Sequence, residues 1–367
     1  MSAGIYIHVP FCAVKCPYCD FYSVRFSRES VTRYADAVCR NLAALPGGLQ
    51  ADTVYFGGGT PSLLPIEIIQ RFLDTIRQRC LLSADAEITL EANPLTAAAD
   101  KLTAWRESGI NRLSLGIQSF DAEILRILGR KHTPEQGLQA IRRAKEAGFS
   151  NLSIDLMLGL KQHTQSRWQQ ELETAIAQPV THISAYLLKI EPQTPFGSDP
   201  PDMPDDDILA DRYLQMHDVL TASGFTHYEI SNFARCGSTE KQSKVMISAH
   251  NTKYWRLDPY YGIGPAAHSC YGGVRYAVSR DLEAFCSAPL QEQIITEPHA
   301  ESESERIMLG LRLKEGIRLD SVPQSRTRLI QRAKPLIPEY LECDGETLRM
   351  TPQGWLVSNA VLLRLGI

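Results

Sequence analysis

The sequence predicts an α/β fold in which six short strands alternate with helices. Three observations predict it. Short β-branched, apolar runs recur along the first half of the chain. Longer segments of helical periodicity separate them. Gly109 and Gly148 each follow an amphipathic run, where a helix stop belongs.

Strands are expected at Gly4–Val9, Thr53–Phe56, Glu87–Leu90, Arg112–Ile117, Leu152–Leu156 and His182–Leu187. Helices are expected at Ser30–Leu45, Pro65–Leu81, Ala97–Ser108, Pro134–Ala147 and Gln165–Ala177. Six such units build either an open doubly wound sheet or an incomplete barrel, and the pattern alone leaves both open. After Leu187 the text changes. Glu191–Asp207 is rich in proline and reads as a loop leading into a helix from about Ile208 to Gly224. Gly237–Met246 is polar and aperiodic, the mark of a loop. A second polar stretch, Glu297–Glu305, sets a boundary near Pro298. The expected division is therefore 1–230, 231–297 and 298–367, the last reading as short helices and two strands.

At 367 residues the chain exceeds the usual span of one core, so a large domain plus a smaller one is expected. Its 44% apolar and 22% charged residues are ordinary for a soluble globular protein. A net charge of −4 gives no electrostatic case for a nucleic-acid partner. The first residues carry no basic and apolar leader, and no run approaches bilayer length. A cytoplasmic protein is expected, with contact at a membrane surface left open.

Of nine cysteines, three crowd into one short segment as Cys12, Cys16 and Cys19, spaced C-x3-C-x2-C. Three thiolates in one loop can face one metal centre. A cubane of four irons then leaves one iron open to chelate a small molecule. A structural zinc site closed by His8 is the plainer alternative, but His8 falls in a predicted strand.

The ends of the strands carry unusual chemistry. The first runs into the cysteine loop and the second into Gly57-Gly58-Gly59-Thr60-Pro61. The third ends at Glu91-Ala92-Asn93-Pro94 and the fourth at Gly116-Ile117-Gln118-Ser119-Phe120. The fifth holds Asp155 amid apolar neighbours, and the sixth ends at Tyr186. Each has a structural reading as well. The glycines can be a tight turn, the carboxylates satisfied structural groups, Gln118 a cap for a helix near Asp121, and Arg130 a helix-end charge. Together they fit a site on the carboxyl rim of a parallel sheet.

With these residues in place the sequence resembles the radical S-adenosylmethionine (radical SAM) superfamily, through the C-x3-C-x2-C loop and Gly57–Pro61. Tyr6-Ile7-His8-Val9-Pro10-Phe11, the Gly57–Ser62 turn and Gly116–Asp121 narrow the resemblance to its oxygen-independent coproporphyrinogen III oxidase branch. It runs from about Ile5 to the end of the chain. The resemblance implies an incomplete (β/α)6 radical SAM barrel with a small C-terminal helical, winged-helix-like domain. It implies a 4Fe–4S cluster on Cys12, Cys16 and Cys19, with S-adenosylmethionine on the fourth iron. It also implies that Tyr6 and Tyr18 line the cofactor pocket. Gly58, Gly59 and Thr60 would meet the methionine part, and Glu91 the amine or ribose. Gln118 and Asp155 would meet ribose or carboxylate-side groups, and Arg130 would pair with the carboxylate through its guanidinium fork.

Within this branch the sequence is more similar to the haem chaperones than to the oxidase. The oxidase is expected to carry a further cysteine two residues after the third ligand, where this chain has Phe21. It is also expected to have a long N-terminal arm, and only eleven residues precede Cys12 here. His250-Asn251-Thr252-Lys253-Tyr254-Trp255 matches a motif associated with haem in the chaperones. His250 is thereby a candidate axial ligand, with Tyr254 and Trp255 stacking on the porphyrin; a hydrogen-bonded loop histidine is the alternative. His268 is a second candidate. Ser238–Ile247 resembles an insertion just before the motif. The resemblance implies haem binding and delivery to acceptor proteins, respiratory-chain components among them. It suggests a homodimer and peripheral contact with the inner membrane. Oxidative decarboxylation of coproporphyrinogen III, or another radical reaction on a porphyrin-like substrate, is the enzymatic alternative.

Overall fold

The computed structural model describes residues 2–237 and 245–367. The polar loop expected at Gly237–Met246, and the insertion at Ser238–Ile247, thus fall mainly on residues outside the described ones.

Six parallel strands form the middle of one mixed sheet. They are β1 (Ala3–Val9), β2 (Leu49–Gly58), β3 (Cys80–Ala92), β4 (Arg112–Gln118), β5 (Asn151–Leu158) and β6 (His182–Leu187). They pair in chain order, as successive βα crossovers require. The third begins earlier than the alternation of its residues indicates. Beyond β6 the sheet continues antiparallel through β7 (Thr226–Glu229) and β8 (Asn232–Ala234), with β8 innermost.

A seventh parallel strand, β9 (Tyr260–Ile263), lies against the other side of β1 and was not foreseen. At four residues it is too short for its periodicity to show. From it a meander runs outward through β10 (His268–Tyr271), β11 (Val274–Ala277) and β12 (Ile294–Glu297). The described sheet has twelve strands and its two outer strands do not pair, so the barrel is incomplete.

The helices α1 (Arg28–Ala43), α2 (Ile66–Arg79), α3 (Ala99–Ser108), α4 (Ala122–Ile127), α5 (Pro134–Glu146) and α6 (Gln165–Ile176) are the crossovers. Their ends follow local chemistry. Thr133 and Gln136 form a reciprocal capping box ahead of Pro134. Gly109 ends α3 at φ 104°, a left-handed turn open to glycine. The inward faces bring Phe72, Ile76, Trp105, Ile141 and Trp168 into the core. Each such side chain contributes about 1.5–3 kcal/mol by leaving water.

The strands do not read as the continuous apolar runs of a parallel sheet covered on both faces. On β1, Ile5, Ile7 and Val9 pack toward the helices, while Gly4, Tyr6 and His8 alternate to the other face. On β4, Leu113, Leu115 and Ile117 alternate with Arg112, Ser114, Gly116 and Gln118. Register carries this polar set from strand to strand, with Glu91 opposite Ser114, Ser114 opposite Ser153, and Asp155 opposite Ser184. The inner face of the barrel is therefore polar and enclosed.

Past residue 298, helices surround a three-stranded antiparallel sheet of β13 (Ile317–Arg318), β14 (Leu341–Cys343) and β15 (Thr347–Met350). This is the winged-helix-like unit expected, with one strand more. Trp355 fixes it by donating to the Leu311 carbonyl at 3.0 Å and meeting His227 edge-on. Backbone bonds from Lys314 to Tyr228 and from Ile230 to Arg312 seal the β7 edge of the large sheet.

Candidate functional site

The first strand delivers the cysteine loop to the carboxyl rim, and the second delivers the glycines beside it. Gly59 donates to the Val9 carbonyl at 2.8 Å. A Cβ on Gly59 would lie 2.7 Å from the Phe11 carbonyl oxygen, 2.9 Å from that of Val9 and 3.1 Å from the Cys12 sulfur. Glycine is needed there because backbone meets backbone. Gly58, at φ 108°, leaves room for the His8 ring. Thr60 Oγ1 stands 3.6 Å from the Cys12 sulfur.

Cys12, Cys16 and Cys19 are partly exposed free thiols. Burial pushes the Cys19 thiol up. Arg130 donates through one nitrogen to the Cys16 sulfur at 3.6 Å and through the other to the Gly116 carbonyl at 2.6 Å. Its Nε is buried without a partner in the described residues. Tyr18 lies against the same sulfur and packs on Phe196. Among the described residues no three side chains of ligating type close on a single ion. Cysteines that serve separate irons of a cubane stand apart by the width of the cluster. His8 is not in this set: its ring nitrogens meet the Tyr22 carbonyl at 2.9 Å and the Tyr6 hydroxyl at 3.1 Å. The zinc alternative loses its fourth ligand by that geometry.

Two carboxylates stand on the inner face. Glu91 accepts from the Tyr55 hydroxyl at 2.7 Å and from the Gly58 N–H at 3.3 Å. Burial pushes it up to about 7, the Tyr55 bond opposes, and the nearby Asp155 adds to the rise. Asp155 accepts from Ser114 at 3.1 Å. Burial raises it to about 6, against the Ser114 bond.

Gln118 holds a left-handed backbone at φ 69°, unusual for a residue other than glycine. Its side-chain oxygen accepts from the Tyr186 hydroxyl at 2.7 Å, and Asp121 caps α4 instead. The turn after it is held by Glu171, which accepts from the Ser119 hydroxyl at 2.6 Å and the Phe120 N–H at 3.2 Å. Thus Cys12, Cys16, Gly59, Thr60, Arg130 and Gln118 gather on one rim, with Glu91 and Asp155 inside.

His250 is not among them. Its ring is fully buried, with Nδ1 2.8 Å from Thr53 Oγ1 and Nε2 2.9 Å from the Tyr254 hydroxyl. It also stacks on Tyr55 at 5.1 Å. Burial and the Lys253 charge lower its pKa to about 3. Both ring nitrogens are hydrogen-bonded to hydroxyl groups in this arrangement. The motif histidine therefore sits in the barrel wall, its ring held between Thr53 and Tyr254.

Next to the cysteine loop lies a cavity of about 620 Å³. Its walls include Tyr6, Tyr22, Tyr254 and Trp255, so the second half of the motif faces it although His250 does not. Phe21, from the end of the cysteine loop, lines its mouth and is 65% exposed.

Tyr55, Arg112, Ser153, His182 and Ser184 also belong to the inner face and were not singled out in the sequence. Ser153 and Tyr228 hold the His182 ring at 2.8 Å each. The signal was present: alternate polar residues in strands that should have been apolar on both faces.

Comparison with known proteins follows this geometry. The radical SAM superfamily profile matches residues 6–175, and the HemN C-terminal domain profile matches residues 298–357. A protein of Escherichia coli (strain K12) named heme chaperone HemW is 42% identical over 269 residues, covering 72% of this chain and 69% of its own. The protein of that name from Synechocystis is 36% identical and covers 100% of this chain and 96% of its own. Among solved structures, the radical SAM enzyme coproporphyrinogen III oxidase (HemN) from Escherichia coli superposes with a TM-score of 0.80. That match spans 99% of this chain and 90% of the other at 21% identity, a likeness of fold.

Proposed function

The chain belongs to the HemW branch of the radical SAM superfamily, and from that premise we propose that it is a haem chaperone, binding haem and passing it to acceptor proteins. One observation carries the proposal beyond the family. The cavity beside the cysteine loop has the volume, aromatic walls and cationic side chains that suit a flat, dianionic tetrapyrrole.

The family implies a 4Fe–4S cluster and S-adenosylmethionine, and the rim residues fit both. Three free thiols in one loop match the cluster's need for soft ligands. The guanidinium of Arg130 beside Cys16 offsets thiolate charge, and its unpartnered Nε has a donor to spare for a carboxylate. In this reading Gly58, Gly59 and Thr60 receive the methionine part, Glu91 its ammonium, and Gln118 and Asp155 the ribose side. Tyr6 of β1 and Tyr18 of the cysteine loop close the pocket from either side of the cluster ligands. When bound, the cluster supplies one-electron chemistry to S-adenosylmethionine.

Phe21 favours the chaperone over the oxidase reading. A large exposed ring stands at the cavity mouth where the oxidase is expected to place a thiol.

The test is anaerobic reconstitution of the cluster, followed by haem titration read at the Soret band. A parallel sample receives coproporphyrinogen III, reductant and S-adenosylmethionine. Stoichiometric haem uptake with no protoporphyrinogen formed is expected. Decarboxylation without specific haem uptake would return the chain to the oxidases.

A further inference from the structure

Helix α6 buries one stripe, Trp168, Glu171, Leu172 and Ala175, at the i, i+3, i+4, i+7 spacing of an amphipathic helix. One of the four is an acid, and it is only 4% exposed. A carboxylate in an apolar stripe costs free energy unless its oxygens are engaged. Both are. Oε1 accepts from the Ser119 hydroxyl at 2.6 Å, and Oε2 accepts from the Phe120 N–H at 3.2 Å. The Ser119 oxygen in turn accepts from the Asp121 N–H at 2.9 Å, which locks the hydroxyl between the two.

The residue just before this grip is Gln118. Between Leu115 and Gln118 the register of β4 against β5 shifts, and Gln118 itself is left-handed. A bulge and a left-handed turn at a strand end re-aim a side chain, and such geometry persists only where its surroundings hold it. Here the next two residues are the ones that Glu171 holds. The re-aimed amide lies on the rim. Its oxygen accepts from Tyr186, and its nitrogen makes no hydrogen bond among the described residues. A Cβ on Gly116 would meet that nitrogen at 3.2 Å and Nη2 of Arg130 at 3.4 Å, so the two side chains converge over this glycine.

We propose that Glu171 is the positioning residue of the cofactor pocket: by gripping Ser119 and Phe120 from α6 it fixes the Gln118 turn, and so sets how tightly the Gln118 amide holds the ribose side of S-adenosylmethionine. The inference rests on the reading above that Gln118 meets that part of the cofactor. Glu171 acts through Gln118 and does not touch the cofactor itself.

The test is a double-mutant cycle on the full chain with its cluster reconstituted, with S-adenosylmethionine affinity read by equilibrium dialysis. Iron and sulfide per chain and a denaturant melt accompany each variant. Gln118→Ala is expected to weaken binding about tenfold, as loss of a hydrogen bond implies. Glu171→Gln keeps the size of the side chain and removes one acceptor oxygen, so it is expected to weaken binding roughly fivefold at unchanged iron content. The double variant is expected to bind like Gln118→Ala alone, because a residue that acts through Gln118 then has nothing left to position. Ser119→Ala removes one half of the grip, leaves the acid in place and is expected to follow the same pattern; it carries the test where Glu171→Gln does not fold. A loss that adds to that of Gln118→Ala, or an unchanged affinity in Glu171→Gln, makes the acid structural only and overturns the proposal while the cofactor reading stands. If the wild type binds no S-adenosylmethionine, or Gln118→Ala binds it as tightly as the wild type, both fall.

Discussion

Tyr55 donates its phenolic hydrogen to the Glu91 carboxylate at 2.7 Å, from one strand of the inner face to the next. The bond keeps a half-buried acid aimed at the cysteine rim. Burial nonetheless holds it near 7. The ionised form is the one that can receive an ammonium group. Affinity for S-adenosylmethionine should therefore fall as pH drops from about 8 to about 6, approaching tenfold per unit at the acid end. Equilibrium dialysis across that range checks it. Glu91→Gln should bind weakly at every pH, with a flat profile; a variant that keeps the wild-type slope would remove Glu91 from the cofactor site. The stability effect has the opposite sense. A raised carboxyl stabilises the fold below its ordinary pKa, and that contribution is lost as pH rises through about 7.

Arg130 ties Cys16 to the Gly116 carbonyl. Arg130→Lys keeps the charge but loses the fork, so it should retain the cluster while weakening S-adenosylmethionine roughly tenfold or more, as loss of a charge-assisted bond at ~1.5–3 kcal/mol implies. Arg130→Ala should also lower iron and acid-labile sulfide per chain after reconstitution. Equal cofactor affinity in wild type and both variants would refute the pairing.

Gly59 has no room for a methyl group, since the nearest atoms are carbonyl oxygens that cannot swing aside. Gly59→Ala should cost about 1–3 kcal/mol through backbone displacement. It should also impair cluster assembly, because the displaced segment carries Cys12. Denaturant melts and iron analysis measure the two effects separately.

His250 holds Thr53 and Tyr254 in the barrel wall. His250→Ala leaves a cavity and two unpaired hydroxyls, a loss of about 2–5 kcal/mol. A melt that matches wild type would contradict the structural role.

Much of this was legible in the sequence because periodicity and strand-end chemistry are local. Six strands and five helices follow from apolar spacing, and the rim residues from their position after each strand. What escaped was set by pairing between distant segments. Nothing within Tyr260–Ile263 announces that it joins β1, and the hairpin that lines the cavity takes its orientation from that join. The orientation of His250 was hidden for the same reason. A motif gives the residue, but only packing against Tyr55 and Thr53 tells which way the ring faces.

The contact between Arg280 and the Asp20 carbonyl joins the cavity to the residue that follows Cys19. One mechanical part thus serves two compartments. An occupant of the cysteine rim that moved Asp20 would also move Arg280 in the cavity wall, and with it the shape offered to a ligand there. Thermodynamic reciprocity then requires the cargo to alter the hold on that occupant by the same factor. The two sites are then expected to report on each other through one hydrogen bond at the mouth of the cavity.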